Sequence, residues 1–348
     1  MRSIKVSRRT FGAVAARCAA AIALPAWCAD ARPERSRVVI AAGGKSSFYF
    51  LPLTIAEQLG YFRSEGLDVE ISDHANGARA LMAAMSGAAD LVSGAYEHTI
   101  RQQSRNLSFQ SLVLHGRAPQ MAMGVSSRTL PGYRSLADLK GKRIGVTAIG
   151  SSTHLMAGVV LGRSGLSMAD VLFVGVGSST AAVTALRNGQ VDAMCNVEPV
   201  MTMLEQKSEV RIVHDTRTLK GTQEVFGGPM PAGCLYASSD FVQKNPGTCQ
   251  ALADAVVHSL KWLQTAGPSD MIKTVPESYL LGDRAMYLAA FNKIREAIAI
   301  DGLMPEEGPR TALRALAAFE PEVRADRIQL ARTYTNEFAR KAKDRFKA

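Results

Sequence analysis

The sequence of 348 residues contains no run of about eighteen consecutive apolar residues, and this absence argues against a membrane-spanning helix. Charged residues make up only 21% of the chain, whereas apolar residues make up 47%. This composition excludes a disordered polar chain and allows a sizeable buried core. At this length we expect about two domains.

Cysteine is also scarce, with five residues in the whole chain. No Cys-x-x-Cys pair and no Cys/His spacing of a zinc site occurs, so we expect no metal site. Three cysteines, Cys195, Cys234 and Cys249, lie beyond the N-terminal segment. The sequence leaves open whether two of them form a disulfide or all remain buried thiols.

The motifs of nucleotide and hydrolase chemistry are incomplete. The segment 44–46, Gly-Lys-Ser, resembles the end of a phosphate loop, but Val39 stands where that motif needs its first glycine. Thr180 likewise replaces the third glycine of a dinucleotide fingerprint that would begin at Gly175. No Gly-x-Ser-x-Gly elbow occurs. We therefore expect no cofactor and assign no catalytic residue.

The N-terminal segment predicts an export signal over residues 1–29. Residues 1–9 are cationic, and residues 12–27 form a short, alanine-rich apolar stretch. The segment 7–11, Ser-Arg-Arg-Thr-Phe, resembles a twin-arginine signal, and a general secretory signal is the alternative. Either route predicts a periplasmic protein.

The positive charge of the chain depends partly on this signal. Its five basic residues account for half of the formal net charge of +10, which leaves +5 on the remainder. Such a mild excess suits an anionic ligand or a solvated surface and gives no support for a nucleic-acid partner.

A pattern of strand, helix, strand, helix and strand occurs twice, which predicts parallel sheets covered by helices. The strands are predicted over 37–42, 67–72 and 90–93 in the first half and over 143–148, 171–176 and 191–197 in the second. Gly87 and Asp90 fall 102 positions before Gly189 and Asp192, and in both halves the pair stands between a predicted helix and the next predicted strand. The halves are therefore expected to be similar lobes.

The fold class predicted is α/β with two lobes, each a mostly parallel sheet with helices on both faces, joined by a two-strand hinge. We expect the first lobe over 36–120, the second over 121–237, and C-terminal helices over 238–348 that pack largely on the first lobe. Residues 109–126 would be the first crossing strand, and a second crossing would follow the glycine- and proline-rich segment 227–231.

The C-terminal helices carry two apolar stripes. One comprises Leu252, Val256, Leu260 and Leu263, and the other comprises Leu330, Tyr334 and Phe338. We expect the charged end, 340–348, to fray in solvent.

In open α/β sheets, ligands bind beyond the carboxyl ends of the strands. Short polar loops follow the strands in both halves, at 43–50, 74–77, 94–99, 149–154, 177–180 and 196–199. If the lobes face each other, these loops line one cleft.

The loop at 150–153 carries the strongest binding signal. Gly150 lets the backbone approach a ligand, and the helix amides behind it, with the hydroxyls of Ser151, Ser152 and Thr153, favour an anion. An ordinary helix N-cap is the alternative. Ser178 has the same two interpretations.

The other candidate ligand-binding residues lie on the remaining loops. Tyr96 would contact an apolar part of the ligand, and Glu97 and His98 would bond its polar groups, unless they simply begin a helix. His98 and His154 could meet across a closed cleft.

Three further residues complete the candidate set. Tyr49 would form a wall of the pocket, and Asn76 would donate to an anion or cap its helix. The carboxylate of Glu198 would suit an amino group or orient a neighbouring donor.

Several segments resemble the nitrate/sulfonate/taurine family of periplasmic solute-binding proteins, which includes binders of thiamine pyrimidine precursors. Residues 60–70 read GYFRSEGLDVE and residues 136–146 read LADLKGKRIGV, both similar to signatures of that family. The segments 87–91 (GAADL), 150–153 (GSST) and 198–199 (EP) are similar to three further family motifs.

This resemblance implies a periplasmic binding protein type 2 fold that closes on one small solute and presents it to an inner-membrane ABC permease. The solute would be sulfonate-, taurine- or pyrimidine-like, and the protein a monomer. Glu97 and His98 favour a larger ligand of mixed polarity, such as a heteroaromatic or an amino-sulfonate, over a simple nitrate or sulfonate. A pyrimidine-forming enzyme on the same fold and a sensor or adaptor clamp are the alternatives, although the cysteine-rich cluster of the enzymatic branch does not occur here.

Overall fold

The computed structural model of the chain describes residues 33–348. The predicted export signal lies outside these residues. The strands are β1 (Arg37–Gly43), β2 (Asp68–His74), β3 (Leu91–Ala95), β4 (Phe109–Leu114), β5 (Met121–Ser126), β6 (Arg143–Val146), β7 (Leu172–Gly175), β8 (Ala193–Val197), β9 (Val210–Asp215) and β10 (Gly233–Ser238).

The helices pack around these strands. They are α1 (Leu51–Gln58), α2 (Tyr61–Ser64), α3 (Gly77–Met85), α4 (Glu97–Ser104), α5 (Ser152–Gly162), α6 (Thr180–Arg187), α7 (Val200–Gln206), α8 (Leu219–Phe226), α9 (Ser239–Lys244), α10 (Pro246–Thr265), α11 (Pro268–Thr274), α12 (Arg284–Ile294), α13 (Gly308–Phe319) and α14 (Glu337–Phe346). None of the helices between residues 33 and 348 has the length and apolar character needed to cross a bilayer.

The strands form two five-stranded sheets, and each sheet is the centre of one lobe. The order is β2-β1-β3-β10-β4 in the first sheet and β7-β6-β8-β5-β9 in the second. In each sheet four strands share one direction, and a single strand, β10 or β5, runs against its neighbours. The predicted α/β class with two mostly parallel sheets is confirmed.

Strands β3 and β8 lie in the middle of their sheets and are buried along their whole length. Their near-continuous apolar sequences suit strands that are covered on both faces. The candidate loops follow the carboxyl ends of such strands, so the buried sheet centres fix the positions of the loops.

The internal repeat has a structural role that is the same in both halves. The Asp90 carboxylate accepts a hydrogen bond from the Val39 backbone amide of β1 at 2.9 Å. The Asp192 carboxylate accepts one from the Arg143 amide of β6 at 3.0 Å. Each aspartate therefore ties the start of the central strand to its parallel neighbour, which explains why the Gly-x-x-Asp pattern occurs twice.

Two connections join the sheets, as predicted, but their details differ. Residues 109–126 form two strands rather than one, because β4 belongs to the first sheet and β5 to the second. Pro119 has no backbone amide to donate, and Gln120 has a φ of 59° in the left-handed region, so these two residues separate the strands.

The boundary predicted at residue 237 for the second lobe is wrong, because β10 pairs with β3 and β4 in the first sheet. Strand β9, which the sequence did not predict, takes the outer position beside β5 in the second sheet.

The C-terminal region differs in part from expectation. The apolar stripe of α10 is buried as predicted, but Leu330 lies in a short 3-10 turn and Tyr334 forms an isolated bridge with Ser111. Helix α14 begins only at Glu337 and extends to Phe346, so the predicted frayed end is wrong. Its apolar face packs against α10, which holds the charged terminus in place.

The C-terminal helices contact both lobes. Helices α10 and α14 pack against elements of the first sheet, whereas α12 packs against α7 and α13 against α5. The Lys293 ammonium of α12 also lies 2.6 Å from the Glu205 carboxylate of α7. The C-terminal region therefore bridges the lobes rather than covering the first lobe alone.

Candidate functional site

The two lobes enclose a cavity of about 60 Å³, here called the central cavity. All six candidate loops contribute to its walls. The lining residues are Gly43, Ser47, Tyr49, Phe50, Ala75, Asn76, Gly77, Gly94, Ala95, His98, Met121, Thr147, Ser151, Ser152, Thr153, Ser178 and Val197. The cavity therefore lies beyond the carboxyl ends of β1, β2 and β3 on one side and of β6, β7 and β8 on the other.

The lobes touch directly around this cavity. The Phe48 amide donates a hydrogen bond to the Glu198 backbone oxygen at 3.1 Å, which joins a first-lobe loop to the end of β8. Gly44 has φ of +89°, and a β-carbon added there would lie 2.4 Å from Ser178 Oγ. A larger residue at Gly44 would therefore prevent this close approach.

Tyr49 lies in a short 3-10 turn, Phe48–Phe50, and forms part of the cavity wall. Its neighbour Phe48 points instead into the core, where its ring centroid lies 4.5 Å from that of Tyr287. The Tyr49 hydroxyl is buried without a well-formed hydrogen bond, although the Ser152 side chain is close enough to act on its pKa in the lowering direction. Burial raises the pKa of Tyr49 well above its ordinary value.

Asn76 both caps a helix and faces the cavity. Its side-chain oxygen accepts a hydrogen bond from the Arg79 amide at 3.1 Å, at the start of α3. Its amide nitrogen donates no hydrogen bond to any residue in 33–348, so this donor is left for a ligand. Ser178 is half-buried on the opposite wall, and its hydroxyl likewise has no partner among these residues.

His98 on α4 is buried and neutral. Burial and the nearby charge of Arg101 lower the pKa of His98 to about 3. Its Nδ1 lies 3.1 Å from the hydroxyl of Tyr236, which has no other hydrogen-bond partner within the described chain. Buried hydroxyls normally donate to an acceptor, so we assign the Tyr236 proton to the bond with Nδ1 and the proton of His98 to Nε2. His98 is therefore an N–H donor at the cavity wall.

A hydrogen bond crosses the cleft between α4 and α5, where the Ser152 hydroxyl donates to Glu97 Oε1. The Glu97 side chain is almost fully buried, and burial raises its pKa, against the effects of Ser152 and Arg101. The Arg101 guanidinium itself is held by the Glu320 carboxylate, with Nε 2.8 Å from Oε2. Glu97 therefore has a cation nearby but none in contact.

Three hydroxyls form a compact cluster at the start of α5. The Ser151 and Thr153 hydroxyl oxygens are 2.8 Å apart, and each is 3.0 Å from the hydroxyl of Thr147. Ser151 also accepts a hydrogen bond from the His154 amide, so it is the N-cap of α5. The cluster fixes the helix end whose amides face the cavity.

Two candidate residues lie away from the central cavity. The Tyr96 hydroxyl is 2.6 Å from Thr333 Oγ1 and its ring packs near Tyr334, so Tyr96 contacts the C-terminal segment rather than a ligand. His154 Nδ1 accepts from the Gly150 amide, and its ring packs edge-on against Phe173. No hydrogen bond or ring contact within residues 33–348 joins His154 to His98.

The carboxylate of Glu198 also faces away from the cavity, contrary to expectation. Its oxygens accept hydrogen bonds from the amide and hydroxyl of Thr202 and from Arg217, whose Nη1 lies 2.8 Å away. The prediction that Glu198 binds an amino group of the ligand is wrong, because the Arg217 guanidinium already occupies its carboxylate. Of the loop 196–199, the residue that lines the cavity is Val197, one position before Glu198.

Sequence reasoning missed several lining residues. Thr147, Met121 and Val197 contribute one hydroxyl and two apolar contacts to the walls. Thr147 directly follows β6, so the strand-end argument could have found it. Met121 begins β5 after the crossing segment, and nothing in its local sequence signals that position.

Solved structures share this fold. A structure from Bordetella bronchiseptica RB50 is 51% identical, with a TM-score of 0.89, and the match covers 91% of this chain and 99% of that one. The periplasmic aliphatic sulphonate binding protein SsuA from Escherichia coli is 16% identical, with a TM-score of 0.66, over 87% of this chain and 99% of that one. The second likeness shows the fold alone.

Two kinds of curated relatives match at the same level. A putative binding protein of Brucella abortus is 25% identical over 236 residues, which are 66% of this chain and 68% of that protein. The 4-amino-5-hydroxymethyl-2-methylpyrimidine phosphate synthase of Schizosaccharomyces pombe is 25% identical over 252 residues, 70% of this chain and 68% of the synthase.

The family model described as NMT1/THI5 like matches residues 47–267, which include every lining residue of the central cavity except Gly43. With this match over more than half of its length, the chain belongs to the NMT1/THI5-like family, on a periplasmic binding protein fold.

Proposed function

We propose that this protein is the solute-binding component of an ABC-type importer. It captures one small organic anion or heteroaromatic solute in the central cavity and carries out no chemical reaction on it. The observation that supports this proposal best is the cavity itself, because loops from both sheets line it and hydrogen bonds cross it.

The geometry explains how a solute would favour the closed form. Each lobe contributes only part of the wall, so the solute's partners are complete only when the lobes are closed. A ligand shifts a conformational equilibrium by its differential affinity for the two states. Closure of two lobes about a hinge is an established motion of this kind.

The lining residues indicate the chemistry of the solute. His98, Asn76 and the amino end of α5 offer hydrogen-bond donors, which suit an anionic or electron-rich group. Phe50, Met121 and Val197 offer apolar surface, which suits a ring or a short alkyl chain.

The proposed partner is an inner-membrane ABC permease, and the proposed compartment is the periplasm. The predicted export signal and the likeness to a periplasmic sulphonate-binding protein support both. We propose a monomer exported by the twin-arginine or general secretory route.

A thermal-shift screen of sulfonates, carboxylates, pyrimidines and amines tests this function. A true ligand raises the unfolding temperature in a concentration-dependent way, because it binds only the folded state. Calorimetry of each hit is expected to give one binding site per chain. Chemical analysis after prolonged incubation with the protein is expected to recover the solute unaltered. Failure of all four classes to shift the unfolding temperature would count against the proposal.

The synthase among the relatives makes a pyrimidine-forming enzyme the second candidate. His98 is the candidate residue for such chemistry, since it lines the cavity and His154 does not. Product that forms with the wild-type protein and disappears in a His98→Ala variant would favour the enzyme over the binding protein.

A further inference from the structure

Helix α13 lies against both lobes. Its packing partners include α4 of the first lobe and α5 of the second. These are the two helices whose first residues, Glu97 and Ser152, are joined by the hydrogen bond across the cleft. We call residues 308–320, which comprise α13 and the residue after it, the α13 bridge.

The chain on either side of the α13 bridge is tied to the first lobe. Before the bridge, the Gly302 backbone oxygen accepts a hydrogen bond from the Leu114 amide of β4 at 2.8 Å. After the bridge, the Thr333 backbone oxygen accepts one from the Ser111 amide of the same strand at 3.0 Å. Because both anchors lie on β4, the α13 bridge belongs to the first lobe and moves with it.

Adjacent residues at the end of the α13 bridge contact different lobes. Glu320 Oε2 accepts a hydrogen bond from Arg101 Nε of α4 at 2.8 Å. The Phe319 ring lies against Gly158 and Gly162 of α5, where an added β-carbon would come within 3.2 Å and 3.1 Å of ring carbons. The ring therefore fills the space that side chains would occupy at these two positions of the second lobe.

The two glycines leave a gap in the surface of α5. They are four positions apart and so share one face of the helix. Glycine inside a helix is destabilising relative to alanine, so this gap has a cost for α5. At Gly158 an added β-carbon would also lie 2.6 Å from Met168 Sδ, whereas at Gly162 the Phe319 ring is the only such close neighbour from outside α5 within residues 33–348. Packing of Phe319 therefore accounts for Gly162.

The contact of Phe319 lies far along α13 from the second crossing segment. At the start of the helix, a β-carbon added to Gly308 would lie 2.8 Å from Pro231 of that segment. The twelve residues of α13 then extend about 18 Å to Phe319. In a rotation about a hinge, displacement grows with distance from the hinge. Opening of the cleft therefore separates Phe319 from α5 and leaves the start of α13 almost in place.

We infer that the α13 bridge favours the closed arrangement of the lobes even before a solute binds, and that the contact of Phe319 with α5 must break for the cleft to open. This inference goes beyond the proposed function, because it does not depend on the nature of the solute. Phe319 does not line the central cavity. Its contact therefore changes the apparent affinity for every solute by the same factor.

Small-angle X-ray scattering of the purified protein without solute tests the inference. The wild type is expected to have the radius of gyration of the closed structure. Phe319→Ala removes the ring, and Gly162→Leu places a side chain in the gap on α5, so both variants are expected to have a larger radius. In Phe319→Ala the closed-to-open ratio is expected to fall about tenfold, because burial of part of a phenyl ring is lost.

Two further variants separate a role in closure from a role in folding. Gly162→Leu combined with Phe319→Ala is expected to return toward the wild-type radius, because the leucine fills the space that the ring leaves. Phe173→Ala is the matched control, since it removes a half-buried phenyl ring that contacts His154 within the second lobe, and its radius is expected to equal that of the wild type. Circular dichroism confirms folding, and Gly162→Leu decides the question if Phe319→Ala does not fold.

A wild-type protein that is open in solution would overturn the inference. Radii of Phe319→Ala and Gly162→Leu that both equal the wild-type radius would overturn it as well. Neither result bears on solute binding, so the proposed function would stand. A failed thermal-shift screen would conversely count against the proposed function and leave this inference intact.

Discussion

Arg217 contacts three carboxylates, one of which is fully buried, and its removal should destabilise the protein strongly. Its Nη1 lies 2.8 Å from Glu198 and 2.9 Å from Glu205, and its Nη2 lies 2.6 Å from Asp215. The side chain of Arg217 is 3% exposed and that of Glu198 is 0% exposed. Arg217→Met would leave the carboxyl group of Glu198 sealed from water without a cation, whereas the other two carboxylates still reach solvent.

The expected loss of stability follows from the proton that Glu198 must then take up. A buried carboxylate without a cation becomes neutral rather than stay charged. Protonating a group with an ordinary pKa of about 4.3 at pH 7 costs between about 3 and 4 kcal/mol. That range agrees with the roughly 3–5 kcal/mol typical of breaking a buried ion pair.

Urea unfolding of wild type and Arg217→Met at pH 7 and pH 5 measures this loss. In the variant the folded-state pKa of Glu198 lies above its unfolded value, so the folded state holds the extra proton more tightly and gains stability as pH falls. The deficit should therefore shrink by about 2–3 kcal/mol at pH 5. Adding Glu198→Gln to the variant should restore most of the lost stability at pH 7, since both buried charges are then absent.

A loss below about 1 kcal/mol at pH 7, or a deficit of the same size at pH 5, would refute this reasoning. A double variant as unstable as Arg217→Met would also contradict it, because the cost would then not come from the unpaired Glu198 carboxylate.

Three further measurements test other parts of the structure. Ser152→Trp should fill the central cavity and weaken the binding of any solute from the screen by about a hundredfold or more without unfolding the protein; unchanged affinity would remove Ser152 from the site. Because burial lowers the pKa of His98 from 6.5 to about 3, the folded state binds fewer protons than the unfolded chain between these values. His98 alone should thus contribute a fall in stability of about 1.4 kcal/mol per pH unit below pH 6.5, and urea titrations in which His98→Gln shows the same dependence of stability on pH as the wild type would contradict this. Burial raises the pKa of Cys234 and Cys249 to about 12 and also raises that of Cys195. The native mature protein should therefore resist thiol reagents until it is denatured, and prompt labelling of the native form would be inconsistent with this structure.

The elements and the position of the cleft could be predicted because their signals are local. Asn76 and Ser151 cap helices where the sequence indicated, and Gly60 and Gly87 adopt the positive φ of +73° and +79° expected after helices. Strand ends and helix starts then place the loops, since parallel strands end at one edge of a sheet.

The partners of individual side chains could not be predicted in the same way, because they depend on residues far along the chain. Glu198 turns from the cavity to Arg217, which follows a strand that the sequence did not reveal. Tyr96 turns to Thr333, which lies 237 positions later. The contact of Glu97 with Ser152 likewise forms only when the lobes meet.

The sheet position of β10 was missed for a related reason. Its sequence is that of any buried strand, and only its antiparallel pairing with β3 and β4 assigns it to the first sheet. Such pairing is set by the path of the whole chain rather than by local propensity.

A crystal structure of the protein with a solute from the thermal-shift screen would test the proposed closure most directly. The solute is expected in the central cavity, in contact with His98 or Asn76 from the first lobe and with the Ser152 loop from the second. A solute bound to one lobe alone, or outside the cavity, would contradict the proposal that both lobes close over a single ligand.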